Sequence, residues 1–250
     1  MYYKAHKFES FDGTKLYVRE SGKGPLLVLI HGAGTDGDFF RKTGKVLSQW
    51  FHVISYDRRC HARSGNPSKD ARKATAPLDA HAKDVAAIID AFSEDGKAYV
   101  LGHSLGGYIA MRFAELYPEK IIQLVLNEPA FDPLLWPKEN KGMGFLKFKD
   151  EEAKNEFHPI EKINMVKDTV ASVLYDGKFL FRYRVPLDAL QSLPPLILVG
   201  EASIGTAIYN ETIKLAERLG CSPIFIKGAH NGGYYHPQIY ANTVKDLLFG

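Results

Sequence analysis

Ser104 stands in Gly102-His103-Ser104-Leu105-Gly106-Gly107, between an apolar run and a stretch with helical apolar spacing. The run, Lys97-Ala98-Tyr99-Val100-Leu101, reads as a buried strand, and Tyr108 to Ala114 reads as a helix with one apolar face. Ser104 is therefore expected on a sharp turn, where the serine backbone is strained and the flanking glycines let strand and helix approach closely. The start of the helix points free N–H groups at any anion forming beside the serine. These residues suit nucleophilic attack on a carbonyl. A serine hydroxyl is a poor nucleophile at neutral pH, so a histidine must take its proton and pass it to the leaving group, and a carboxylate must support the imidazolium. A glycine-rich turn without chemistry is the competing reading.

A second feature could complete such a centre. Leu26-Leu27-Val28-Leu29-Ile30 is apolar throughout, as a strand covered on both faces of a parallel sheet should be, and it stops at His31-Gly32-Ala33-Gly34. Loops at this end of a central strand face the ligand crevice of α/β sheets. The backbone N–H of Ala33 is expected to join that of Leu105 in holding a developing oxyanion, with Gly32 and Gly34 beside the substrate. Alternatively the two glycines only turn the chain toward a helix near Phe39 to Trp50. His31 reads as structural rather than as a base.

The rest of the chain must position these groups. Tyr2 to Phe11, Asp12-Gly13 and Lys15 to Arg19 read as an antiparallel hairpin, Phe51 to Tyr56 as a strand, and Asp79 to Phe92 as a helix. Ile121 to Leu126 is the next strand and ends in Asn127-Glu128-Pro129. From Phe131 to Ser192 the strand-helix rhythm fails. It resumes with Leu193 to Gly200, a helix over Thr206 to Leu219, a last strand Pro223 to Lys227 and a helix over Gln238 to Phe249. The expected class is α/β with a mostly parallel sheet, in a single domain over 1–250 that carries an insertion over 131–192.

Composition narrows the options. The 250 residues are 45% hydrophobic and 24% charged, with a net charge of +3, and the lysine-dense stretch Lys138 to Lys154 is interleaved with acids, so nucleic-acid binding is not suggested. No apolar segment forms a secretory signal or spans a bilayer, so no membrane partner is expected. Cys60 and Cys221 form neither a disulfide framework nor a metal site, which fits a reducing cytoplasm.

A strand ending in His31-Gly32, another ending in Asp57-Arg58-Arg59 with Ser64-Gly65 beyond it, and then Gly102-His103-Ser104-Leu105-Gly106-Gly107 follow one another in an order that resembles the α/β-hydrolase superfamily over nearly the whole chain. The resemblance implies a mostly parallel twisted sheet flanked by helices, with 131–192 as a small helical cap over the crevice. Trp136 and Phe145 would then contact the substrate and set acyl preference without supplying a catalytic group. Family members usually carry glycines where this chain has Cys60 and Ala62, and His61 reads as a surface or helix-capping residue in preference to one that lines the pocket. The general base of such hydrolases lies in a glycine-rich loop after the final strand, where His230 matches it, with His236 as a rival.

The acid is less regular. Its usual loop here reads Gly200-Glu201-Ala202-Ser203 and holds only Glu201, whereas some relatives carry it after the strand that follows the nucleophile helix, the place of Glu128. Glu128 is preferred to Glu201 and to Asp132, because the implied sheet order sets its strand beside that of Ser104. The implied function is a cofactor-free serine hydrolase, esterase- or lactonase-like. It would act on a small, fairly apolar carbonyl compound through Ser104, His230, Glu128 and an acyl-enzyme, with no metal. Carbon-carbon bond hydrolysis or hydroxynitrile lysis by the same groups, and a ligand-binding receptor on this fold, stay open, as does the oligomeric state, a homodimer included.

Overall fold

The computed structural model describes residues 4–129, 162–177 and 183–250. Leu26–Ile30 (β3) is buried at every residue, and its side chains alternate between two cores. Leu26, Val28 and Ile30 join residues of the helices Pro77–Phe92 and Leu105–Leu116, while Leu27 and Leu29 join Leu47, Tyr240 and Val244 on the opposite face. Two-sided burial is why this strand lacks the polar alternation of a half-exposed one. Each fully buried leucine stabilises the fold by about 2 kcal/mol.

Around it the described strands are β1 (Lys4–Glu9), β2 (Lys15–Ser21), β4 (His52–Tyr56), β5 (Ala98–His103), β6 (Ile121–Asn127), β7 (Leu196–Gly200) and β8 (Ile224–Ile226). They form one sheet in the order β1-β2-β4-β3-β5-β6-β7-β8. The first two strands pair antiparallel and β2 meets β4 antiparallel; every other pairing is parallel. All the parallel strands thus present their C-terminal ends at one edge. The central pair β5 and β6 opens there onto Ser104 and Glu128.

The helices end where their sequences direct. Thr206 caps Ala207–Leu219 by accepting from the Tyr209 N–H, and Gly220 closes it in the left-handed region at φ 67°. Gly106 sits where the helix after Ser104 crosses the end of β3: a Cβ there would overlap the Ile30 carbonyl oxygen. That crossing brings the Ser104 turn against the His31-Gly32 loop.

Several elements differ from expectation or add detail to it. The helix expected near Phe39 to Trp50 begins as a 3-10 turn, Gly37–Phe40, and continues as Arg41–Leu47. Short helices form at Lys69–Ala74 and Gly232–Tyr235, too brief for a periodic signal. Within the expected insertion, Lys162–Ala171 runs into a π-helical turn, Ser172–Asp176, and Leu187–Ser192 is a further helix. Leu190 of that last helix is fully buried in the core on the sheet, so the C-terminal part of 131–192 packs on the main body.

Candidate active site

Ser104 sits between β5 and the helix Leu105–Leu116 with φ 53° and ψ −121°, a conformation that non-glycine residues rarely adopt. Its N–H donates to the Asn127 carbonyl at 3.0 Å, and its own carbonyl accepts from the Gly107 N–H at 2.8 Å. The strained residue is therefore held by the neighbouring strand and by the first helical turn. Leu105 is the first residue of the helix, so its N–H has no intrahelical partner. Gly32 lies directly alongside, since a Cβ on it would stand 3.0 Å from the Ser104 Cβ. Ala33 follows, exposed.

His230 is carried by the loop after β8, and its Nδ1 donates to Glu128 Oε2 at 2.7 Å. Glu128 is fully buried immediately after β6, at φ 39°. Its N–H continues the ladder to the Leu198 carbonyl at 2.9 Å, and its Oε1 accepts from the Gly200 N–H at 2.8 Å. A buried carboxylate is stable only when its oxygens are engaged, and both are. Glu201 is exposed on the 3-10 turn Glu201–Ser203, and His236 lies partly buried at the start of the helix Pro237–Phe249. Trp136, Phe145 and Asp132 fall outside the described residues.

His103 is a member of the site that the sequence reading passed over, although it stands inside the serine turn itself. Its ring stacks on Phe39 at 4.5 Å and lies 4.5 Å from the ring of His230. Asn127 Nδ2 donates to its Nδ1 at 2.8 Å, which puts its proton on Nε2, facing Asn231 Oδ1 at 3.3 Å. Burial, reinforced by the neighbouring His230, holds the His103 pKa well below the usual histidine range. His103 thus stays neutral behind His230.

The loop after β4 packs next to this centre. Cys60 and Ala62 have φ 70° and 35°, so two side-chain-bearing residues occupy left-handed positions that favour glycine. The Cys60 N–H donates to the Gly65 carbonyl at 3.0 Å and the Ala62 N–H to Asp168 Oδ1 at 2.7 Å, which holds both in place. His61 corrects the expectation of a surface or capping role: it is fully buried, because Arg58 and Ser172 enclose it. His31 is also buried, its Nε2 accepting from the Arg58 N–H at 3.0 Å. Burial raises the Cys60 thiol pKa to about 11, so it stays protonated at neutral pH. Among the described residues, no cluster of three or more His, Cys, Asp or Glu could hold a metal ion, and no helix is long and apolar enough to cross a membrane.

Residues 25–159 match the alpha/beta hydrolase fold family. With its eight-stranded sheet and strand-serine-helix turn, the chain belongs to that family. It is 26% identical over 260 residues to YraK, an uncharacterized hydrolase of Bacillus subtilis (strain 168), across 94% of this chain and 93% of the relative. Among solved structures, it superposes on Est816, described as an N-acyl homoserine lactone degrading enzyme, with a TM-score of 0.72 at 24% identity, covering 96% of this chain and 99% of that one. It also superposes on a naproxen esterase of Bacillus subtilis with a TM-score of 0.72 at 19% identity, covering 98% and 91%.

Proposed function

We propose that the protein is a serine hydrolase that cleaves an ester or lactone of a small, fairly apolar molecule through Ser104, His230 and Glu128. The observation that carries this reading is the 2.7 Å bond from His230 Nδ1 to Glu128, whose other oxygen is held by the Gly200 N–H. With Nδ1 committed as donor, neutral His230 has Nε2 free of its proton, the form a general base requires. Ser104 Oγ attacks the carbonyl carbon while His230 Nε2 takes the hydroxyl proton. The carbonyl electron pair moves onto oxygen, which the N–H groups of Ala33 and Leu105 stabilise. When the tetrahedral intermediate collapses, the bond to the leaving alkoxide breaks and His230 returns the proton to it, leaving an acyl-serine. Water, deprotonated by His230, then attacks the acyl-enzyme, and Ser104 recovers its proton as the acid departs. Side chains, backbone donors and water suffice for every step. The naproxen esterase and the N-acyl homoserine lactone degrading enzyme among the structural relatives support the substrate class.

The test is a fluorophosphonate probe followed by intact-mass measurement. One adduct on the folded protein, absent in Ser104→Ala together with turnover of an activated aryl ester, is the expected result. A folded protein that takes up no probe at Ser104 sinks the reading and favours a ligand-binding role.

A further inference from the structure

We infer that the segment Lys162–Asp176 supplies positioning residues for the oxyanion loop: Asp176, acting through Arg58, and Ser172 grip the two peptides flanking Ala33 and aim its N–H into the site. This rests on the serine-hydrolase reading and assigns to the segment a role beyond acyl preference.

Three donors converge on the Gly32 carbonyl: Arg58 Nη2 at 3.0 Å, His31 Nδ1 at 2.9 Å and Thr35 Oγ1 at 3.2 Å. His31 can donate from Nδ1 because its Nε2 accepts from the Arg58 N–H. The Gly32–Ala33 peptide is planar and trans, so holding its C=O on one side directs the Ala33 N–H to the other. Arg58 places a full positive charge on the carbonyl side and polarises that peptide, which strengthens Ala33 as a donor. On the far side of Ala33, the Gly34 N–H donates to Ser172 Oγ at 3.2 Å.

Both grips originate in the same segment. Arg58 and Asp176 are fully buried and joined by a 2.6 Å bond from Nη1 to Oδ2; Asp176 Oδ1 accepts from His81 Nε2 at 2.9 Å. A guanidinium without water keeps its position only while its carboxylate is present. His61 lies between the two grips, within reach of both Arg58 and Ser172. Its Nδ1 donates to the Arg59 carbonyl at 3.0 Å, so Nε2 is an acceptor, and it faces both Arg58 Nη2 and Ser172 Oγ at 3.1 Å, while the serine oxygen accepts from the Gly34 N–H. Burial and the Arg58 charge press His61 down to about 3, which keeps Nε2 an acceptor at neutral pH.

An oxyanion donor acts as charge develops in the transition state, so a misaimed Ala33 lowers kcat more than it changes KM. The experiment measures kcat and KM on an activated aryl ester, and inhibition by an aryl boronic acid that mimics the tetrahedral state, for Asp176→Asn, Ser172→Ala and Thr35→Val. Asp176→Asn is expected to lose roughly 10- to 100-fold in kcat with KM within about twofold, and to lose boronate affinity by a similar factor. Ser172→Ala and Thr35→Val are expected to lose several-fold in kcat, with Thr35→Ser, which keeps the donor, restoring it. If Asp176→Asn does not fold, Ser172→Ala and Thr35→Val decide, since both leave the Arg58–Asp176 pair in place. Folded variants with unchanged kcat and boronate affinity overturn the inference. Ser104→Ala is the control: full activity there refutes the serine reading, whereas an inactive Ser104→Ala beside unaffected positioning variants refutes this inference alone.

Discussion

Glu128 and Gly200 are joined by a 2.8 Å hydrogen bond from the Gly200 N–H to Oε1, which turns the second carboxylate oxygen toward His230. The end of one strand therefore orients the acid at the end of the next. In Glu128→Gln the Gly200 N–H would keep the amide oxygen and present the amide nitrogen, a donor, to His230 Nδ1. The imidazole is then forced into the tautomer that leaves Nε2 unable to take a proton. Ester turnover is expected to fall about a thousandfold or more while the fold persists. Glu201→Gln, at an exposed site, is expected to turn over near-normally; the reverse pattern would move the acid to Glu201.

The crossing at Gly106 makes a stability prediction. A methyl group there meets the Ile30 carbonyl oxygen, part of the backbone of a central strand, so relief requires moving the helix that begins at Leu105. Gly106→Ala is expected to destabilise by about 3 kcal/mol or more and to lower the melting temperature by several degrees, read by thermal unfolding.

Buried histidines set the acid limit. His31, His61 and His81 are held below the ordinary histidine pKa, chiefly by burial. As pH falls below about 6.5 the unfolded chain binds protons that the folded one refuses, so their stability contribution is complete above that pH and is lost on acidification. For His61, whose folded value is about 3, the loss runs across the interval between the two. Denaturant melts from pH 7.5 to 4 should show a shallower decline in His61→Gln than in the wild type.

Asp168 works in the opposite sense. Burial raises its carboxyl to about 7 from an unfolded value near 3.8. The folded chain binds the extra proton between those values, so this contribution is present at low pH and lost as pH rises through 7. Asp168→Asn keeps an acceptor for the Ala62 N–H and carries no charge. Its stability relative to wild type is expected to increase from pH 5 to pH 8; a constant difference would mean that Asp168 is ionised throughout.

The sequence alone determined the parts of this protein that are local. The Ser104 turn is legible because strand, glycines and helix are consecutive, and β3 because two-sided burial demands an unbroken apolar run. The sequence also favoured Glu128 over Glu201 and Asp132, the first two at neighbouring strand ends. Tertiary structure decided which of them meets His230, since Glu128 is 102 residues from that histidine and 72 from the amide that orients it. It also decided the fate of Arg58 and His61. Within Asp57-Arg58-Arg59-Cys60-His61-Ala62-Arg63, His61 reads as surface or capping, yet Asp176 and Ser172, 118 and 111 residues beyond Arg58 and His61, close over both side chains. A charged side chain is buried only where a partner cancels the cost of leaving water. That partner comes from a distant segment, so the burial is a property of the packing and leaves no mark on the local sequence.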